Sequence, residues 1–350
     1  MKREISLVRI GHNERIGEAL KEALFELPVT EFGPDYIVKD GTNRLILFTL
    51  ALDELGAPLE FYQLLRDIRQ CGDCFEGSLV GMVVDGNSEL FTKNLAQELA
   101  LAVNMAGGAL PGKPLVEGTG SLYNHHIKAR LLDLNYYQTY VAQIRALGER
   151  LLDFYLPVYD NPRILMLHAS DNKRSNTLWM GRQVLSHLPD QFSKREISLQ
   201  NGTIHDCRGC SFEACLHFAQ NDTCFYGGPM SEEVLPAILE SDVLLCLCPN
   251  YNDSVSANMM AMFNRLTSLL TQNDLYYKYV YAVVVSGYSG SDLVARQVLG
   301  SMCMNKTAIL PPKFALMKTA HDPDSARKAE GIEDEIQAFA ANIRKTVLGI

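Results

Sequence analysis

Short apolar runs alternating with helical patterns predict a doubly wound parallel α/β sheet over the second half of the chain. Three observations carry that prediction. The runs at 163–168, 242–248 and 279–285 are apolar throughout, as strands buried on both faces require. Between them lie stretches with apolar positions spaced at three and four residues. Polar, hydroxyl-rich or glycine-containing segments follow the strands directly, at the sheet edge where open α/β sheets bind ligands.

The elements follow in order. Arg163 to His168 is a strand, and the helix over Ser175 to Leu188 has Ser175 or Asn176 as its N-cap. Glu196 to Leu199 is a second strand leading into a cysteine-rich segment. Glu232 to Ser241 is a helix, followed by the strand Asp242 to Cys248. The helix Asn258 to Leu270 places Met259, Met262, Phe263, Leu266, Leu269 and Leu270 on one face. Tyr279 to Val285 is the next strand, with a helix from Asp292, a short strand near Phe314 to Met317 and a last helix from about Asp324.

The first half repeats the rhythm less clearly. Its strands are expected at Ile5 to Ile10, Arg44 to Leu52 and Ser78 to Val84, and its helices near Ile16 to Leu24, Leu59 to Ile68 and Asn94 to Val103. Val84 to Glu89 occupies the place held later by Cys248 to Asp253, so element order suggests a duplication. The boundary is expected near Tyr155 to Pro162, giving an α/β domain over 1–158 and a second over 159–350. The loop Gly11-His-Asn-Glu-Arg15 lacks a hydroxyl and carries an acid that would oppose a phosphate, so the first domain is read as a degenerate copy without a cofactor.

Composition narrows the function classes. With 47% hydrophobic and 21% charged residues the chain is an ordinary globular one rather than a disordered one. The net charge of −9 comes without a basic cluster, which argues against nucleic acid as a partner. The amino terminus has no signal-peptide core, and the apolar runs fall short of the roughly 18 residues of a membrane helix, so a cytoplasmic protein without a membrane partner is expected. An odd count of nine cysteines argues against a disulfide framework.

Three segments carry chemistry. Ser170-Asp-Asn-Lys-Arg174-Ser175-Asn176-Thr177 puts short donors at a helix start, where free N–H groups and the helix dipole favour a phosphate. An ordinary capped helix would look the same. No Gly-x-Gly-x-x-Gly or Walker loop is present, so a dinucleotide or a triphosphate fits less well. Pro249-Asn250-Tyr251-Asn252-Asp253-Ser254 offers hydrogen bonds and an aromatic face to a flat ring, though a turn with Asx caps also favours these residues. Ser286-Gly287-Tyr288-Ser289-Gly290 allows close backbone approach at a third strand end.

The thiols Cys207, Cys210, Cys215 and Cys224 form a Cys-x2-Cys-x4-Cys-x8-Cys run, enough for an iron–sulfur cluster, for zinc, or for neither. Cys71 and Cys74 are two thiols alone and cannot complete a site. Cys246, Cys248 and Cys303 read as core residues. His205 and His217 flank the thiol run as surface residues, and His125-His126 reads as a solvated helix start. No Ser/His/Asp order or His-Glu-x-x-His pattern occurs.

From about residue 162 onward the chain resembles the NADPH-dependent FMN reductase and iron–sulfur flavoprotein family, which has a flavodoxin-like fold. The resemblance lies in the Ser170–Thr177 loop, the Cys-x-x-Cys insertion after the second strand, and Pro249-Asn250-Tyr251 followed by Ser256-Ala-Asn-Met259 and Asn264-Arg265. The family ends that helix in Asp-Arg, and Asn264 stands here in place of the acid. Its compact Cys-x2-Cys-x2-Cys-x4–7-Cys cluster run is also wider here.

The resemblance implies a [4Fe-4S] cluster on the four thiols, or, as in members lacking one, cysteines kept for packing. It implies that Ser170, Arg174, Ser175, Asn176 and Thr177 hold the FMN phosphate. Pro249, Asn250, Tyr251 and Asn252 would line one edge of the isoalloxazine, with Ser286, Gly287 and Tyr288 on the other. The flavin N5 carries the chemistry, so no catalytic side chain is expected.

The implied activity is an NAD(P)H oxidoreductase passing electrons to a small-molecule or protein acceptor. The competing readings are an FMN electron carrier without hydride chemistry and a non-enzymatic scaffold. Related reductases dimerise around the flavin, which suggests either a homodimer or an intrachain pseudo-dimer in which the first half stands in for the second subunit.

Overall fold

The computed structural model describes residues 3–54, 56–170, 174–200, 204–221, 223–271 and 273–350. They form two compact units, Met1–Tyr155 and Leu156–Ile350.

The first unit runs β1 (Ile5–Ile10), α1 (Glu14–Ala23), β2 (Val29–Phe32), α2 (Pro34–Lys39), β3 (Leu45–Ala51), α3 (Leu59–Gln70), β4 (Leu79–Asp85), α4 (Thr92–Met105), β5 (Leu115–Gly118), α5 (His126–Leu132) and α6 (Tyr136–Asp153). Its five strands are all parallel, in the order β2-β1-β3-β4-β5. The strands expected from the sequence are the three central ones. Every residue of β3 and β4 is buried, so their composition announces them. The edge strands β2 and β5 are four residues each and half-exposed, too short and mixed to stand out.

The second unit runs β6 (Arg163–His168), α7 (Asn176–Ser186), β7 (Ser193–Ser198), α8 (Phe212–Ala219), α9 (Leu235–Glu240), β8 (Val243–Pro249), α10 (Ala257–Arg265), β9 (Tyr279–Ser286), α11 (Ser291–Leu299), β10 (Ala315–Thr319) and α12 (Ile332–Leu348). The order β10-β9-β8-β6-β7 is again all parallel. Counted from each unit's first strand, both sheets have the order 2-1-3-4-5, the flavodoxin-like winding. β7 begins earlier than expected because Lys194 and Arg195 hide it: only Ile197 of the strand is buried. The last helix starts at Ile332 rather than near 324. A short 3-10 turn, Ala326–Lys328, intervenes, and Gly331 enters the helix at φ 70.

The helix expected from 232 is an α-helix only from Leu235. A π turn, Met230–Val234, precedes it and meets Pro236, which has no N–H to give a regular ladder. Cys246, Cys248 and Cys303 are fully buried, as expected of core thiols. Burial pushes the Cys246 thiol up to about 12 and Cys248 well above its ordinary value, which keeps both unreactive. Two expectations are corrected. His125 is not a solvated helix start: it is 7% exposed, and its Nε2 lies 2.9 Å from the Glu117 carbonyl. Cys71 and Cys74, expected as thiols, form a disulfide, because the turn ending α3 brings their Cα atoms to 5.7 Å.

Candidate functional site

In the second unit β6 and β8 lie side by side, while β7 and β9 flank them on opposite sides. The winding therefore reverses between β6 and β8, and the loops leaving these two strands lie at the carboxyl edge where sheets of this kind bind ligands. Three of the sequence-derived segments leave strands at that edge.

The first leaves β6. Ser175 is the N-cap of α7, its Oγ accepting the Leu178 N–H at 3.2 Å. The first amides of a helix have no carbonyl partner within it, and Ser175 Oγ takes the Leu178 one. Thr177 is buried. Asn176 turns inward: its Nδ2 donates to the Ala320 and Asp322 carbonyls at 3.2 and 2.9 Å, and its Oδ1 accepts the Ala326 N–H at 3.1 Å. It thus ties the helix start to the loop after β10. Arg174 is exposed and pairs with Asp324 at 2.8 Å, and that bond holds the Asp324 carboxyl below its usual range. Ser170 donates its N–H to His168 Nδ1 at 3.2 Å. Residues 171–173 of this loop lie outside the described residues.

The second leaves β8. Asn252 (φ 51) and Asp253 (φ 58) are both left-handed, and Tyr251 and Ser254 exchange backbone bonds of 2.9 and 3.1 Å across them. That is a two-residue tight turn, built from the residue types that tolerate positive φ best after glycine. It presents Tyr251, 60% exposed. Asn250 does not reach outward: its Nδ2 donates to Ser286 Oγ at 3.1 Å and to the Ser289 carbonyl at 2.9 Å, joining this loop to the next.

The third leaves β9. Ser286 is fully buried with its Oγ 2.7 Å from Ser291 Oγ. Gly290 is required twice over, by its φ of +83 and by the space: a Cβ there would stand 2.3 Å from Asp253 Oδ1. Tyr288 is 77% exposed and stacks on His321 at 4.5 Å between ring centroids. His321, from the loop after β10, was not legible in the sequence, because only the parallel pairing of β9 and β10 brings it beside Tyr288.

The thiol segment follows β7. Cys207 and Cys210 are exposed, Cys215 sits in α8 and Cys224 beyond it. Among the described residues no group of three or more His, Cys, Asp or Glu side chains stands close enough to hold a metal ion. The four thiols still feel one another: burial first, then Cys224, Cys207 and Cys210, raises the Cys215 pKa. Arg265, 4% exposed at the end of α10, anchors the segment by donating to the His205 carbonyl at 3.4 Å and the Gly227 carbonyl at 2.9 Å. Asn264, which replaces the expected acid, donates to Asp206 Oδ1 at 3.0 Å. The carboxylate thus comes from the segment itself.

The segment with these loops has a family. Residues 162–322 match the family model for NADPH-dependent FMN reductase. Most of the second unit is thus similar to that family, and its sheet has the flavodoxin-like strand order. No curated protein matches the chain.

Among solved structures, the chain is similar to an NAD(P)H:quinone oxidoreductase from Methanothermobacter marburgensis at 12% identity, covering 52% of this chain and 95% of that one with a TM-score of 0.38. An azoreductase from Bacillus anthracis str. Sterne shows 12% identity, 54% and 100% coverage and a TM-score of 0.37. An oxidoreductase from Corynebacterium diphtheriae shows 14% identity, 55% and 100% coverage and a TM-score of 0.38. Likenesses this remote carry no argument about chemistry.

The first unit treats its own carboxyl edge differently. Asp85, at the end of β4, is fully buried and receives Arg15 Nε at 3.0 Å, Arg15 Nη2 at 3.0 Å and Asn13 Nδ2 at 2.9 Å. The same guanidinium donates to the carbonyls of Gly86, Gly118 and Gly120 at 2.9, 3.3 and 3.0 Å. Arg15 starts in the first turn of α1 and ends among the β4 and β5 loops, so it crosses the edge over β3.

Proposed function

We propose that the reductase domain binds FMN between the loops after β6, β8 and β9, takes hydride from NAD(P)H, and passes the electrons to a small-molecule or protein acceptor. The observation that carries this reading is that the hydroxyl-capped start of α7 follows β6 and the Tyr251 turn follows its neighbour β8, on either side of the reversal in winding and inside the matched segment. The donor set fits the ligand. Free amides and the Ser175 hydroxyl suit a phosphate, and exposed Tyr251 and Tyr288 suit a flat ring. FMN, when bound, supplies the hydride-accepting chemistry, and the protein supplies position and electrostatics.

On this reading Ser170, Ser175 and Thr177 with the α7 amides hold the phosphate, and Arg174 neutralises it by leaving or sharing Asp324. Pro249, Tyr251 and Asn252 face one edge of the ring, and Ser286, Gly287 and Tyr288 the other. Asn176 and Asn250 keep the loops in register through the bonds their side chains already make. The first unit is a cofactor-free copy of the same fold. Titration of FMN into the apoprotein, followed by anaerobic addition of NADPH, tests the reading. Saturable flavin binding and bleaching of the flavin bands support it, and a protein that refuses FMN overturns it.

A second reading adds an iron–sulfur cluster on Cys207, Cys210, Cys215 and Cys224. What favours it is the run of four thiols from Cys207 to Cys224; what opposes it is the absence of a closed ligand group among the described residues. Iron and acid-labile sulfide near four per chain after anaerobic purification would establish it. Flavin bands without iron would leave the thiols structural.

A further inference from the structure

We propose that His168 is a positioning residue for the FMN phosphate, acting by holding the Ser170 amide where the chain leaves β6. This rests on the FMN reading above. His168 is the last residue of β6, where the four residues before it are aliphatic or Met, and it is only 4% exposed. A leucine would satisfy burial there, so the imidazole is present for its nitrogens. Nδ1 accepts the Ser170 N–H at 3.2 Å and therefore carries no proton. Nε2 then holds the proton and donates to Glu196 Oε1 at 3.1 Å, on the neighbouring strand β7.

Glu196 is in turn gripped by Arg182 of α7 at 2.7 and 3.2 Å, and chiefly that bond holds its carboxyl below the usual range. Ser170, His168, Glu196 and Arg182 thus form one chain of bonds from the loop, across the edge strand, and back to the helix whose start faces the phosphate. Burial favours the neutral imidazole, which keeps Nδ1 available as an acceptor. Glu196 and Arg182 are the charged groups that face His168 from these elements.

The chain of bonds positions only the phosphate end of the ligand, and this makes the test specific. FMN and riboflavin are titrated at pH 7.5, by flavin fluorescence, into the full-length apoprotein and two variants. His168→Leu keeps the volume and removes the acceptor; its FMN affinity is expected to fall by about tenfold, the scale of one positioned hydrogen bond, with riboflavin affinity changed less than about twofold. His168→Asn places its Oδ1 near the former Nδ1 and is expected to restore FMN binding to within about threefold of wild type.

Equal FMN affinity in all three proteins overturns the proposal. So does an equal loss of FMN and riboflavin, which would mark a packing residue, or failure of the Asn variant to rescue. A wild-type protein that takes neither flavin overturns the cofactor reading itself, and the proposal with it.

Discussion

Gly290 shows how a single residue sets the spacing of two loops. It combines a left-handed φ of +83 with an Asp253 carboxylate oxygen where its Cβ would be. Gly290→Ala is expected to cost about 1–3 kcal/mol, from backbone strain and the displaced turn together, and to weaken FMN binding because Tyr251 and Tyr288 ride on the two loops. Urea unfolding and flavin titration check both, and an unchanged midpoint would refute the close approach. The buried histidines add a pH dependence. Burial depresses the pKa of His125 and His168, so the folded chain resists a proton that the unfolded chain accepts at about pH 6.5. Their stabilising effect is complete above that pH and is lost as pH falls toward their folded values. Unfolding in urea at pH 7.5 and 5.5 is expected to show a lower midpoint at 5.5, and His125→Gln, which keeps a donor for Glu117 without titrating, should shrink the difference. Ser175 and Tyr251 were legible in sequence because capping and turn chemistry are local. His168 and His321 were not, and Arg265 was legible only as part of a motif without its role, since each works through partners far along the chain.

At the scale of elements, legibility followed burial. β3, β4, β8 and β9 are apolar nearly end to end and were read correctly, while β2, β5 and most of β7 were missed or shortened because an edge strand shows only a few buried positions. The thiol segment was legible as chemistry but not as structure. Its one helix, α8, has Ser211 Oγ capping the Ala214 N–H and little buried surface, so it depends on neighbours. Arg265 anchors the segment on either side of that helix. Its guanidinium brackets the segment through the His205 and Gly227 carbonyls, and its Nε has no partner among the described residues. Arg265→Met should keep the stem's packing while leaving two carbonyls without their donor. A loss of about 1–3 kcal/mol is expected, together with faster alkylation of Cys215, half-buried in the wild type. Thiol labelling followed by peptide mass mapping reads this directly; unchanged Cys215 kinetics would show that α8 is held by other contacts.

At the scale of the whole chain, the same 2-1-3-4-5 winding appears twice, yet on the proposed function only the second copy takes a ligand at its carboxyl edge. In the first copy the helix that would face a phosphate begins with Glu14, and its second residue, Arg15, spends its guanidinium on Asp85 and three carbonyls. A bidentate ion pair whose carboxylate, Asp85, is fully buried is costly to break from one side, because the remaining charge loses its countercharge. A flavin would have to displace Arg15 and leave Asp85 uncompensated, so the first unit should take no cofactor at all. Two outcomes follow from that energy difference. Reconstituted full-length protein is expected to bind one FMN per chain, measured by flavin absorbance against amino-acid analysis. Produced separately, each unit has its own five-stranded sheet and core, so 156–350 should retain FMN and 1–155 should fold without it. A ratio of two, or flavin on the isolated first unit, would mean that Arg15 yields its place, and the reading of that unit as a cofactor-free copy would fall. Failure of 156–350 to fold alone while the full chain binds flavin would instead assign the first unit the part of a second subunit, the pseudo-dimer arrangement, and the stoichiometry of one would stand.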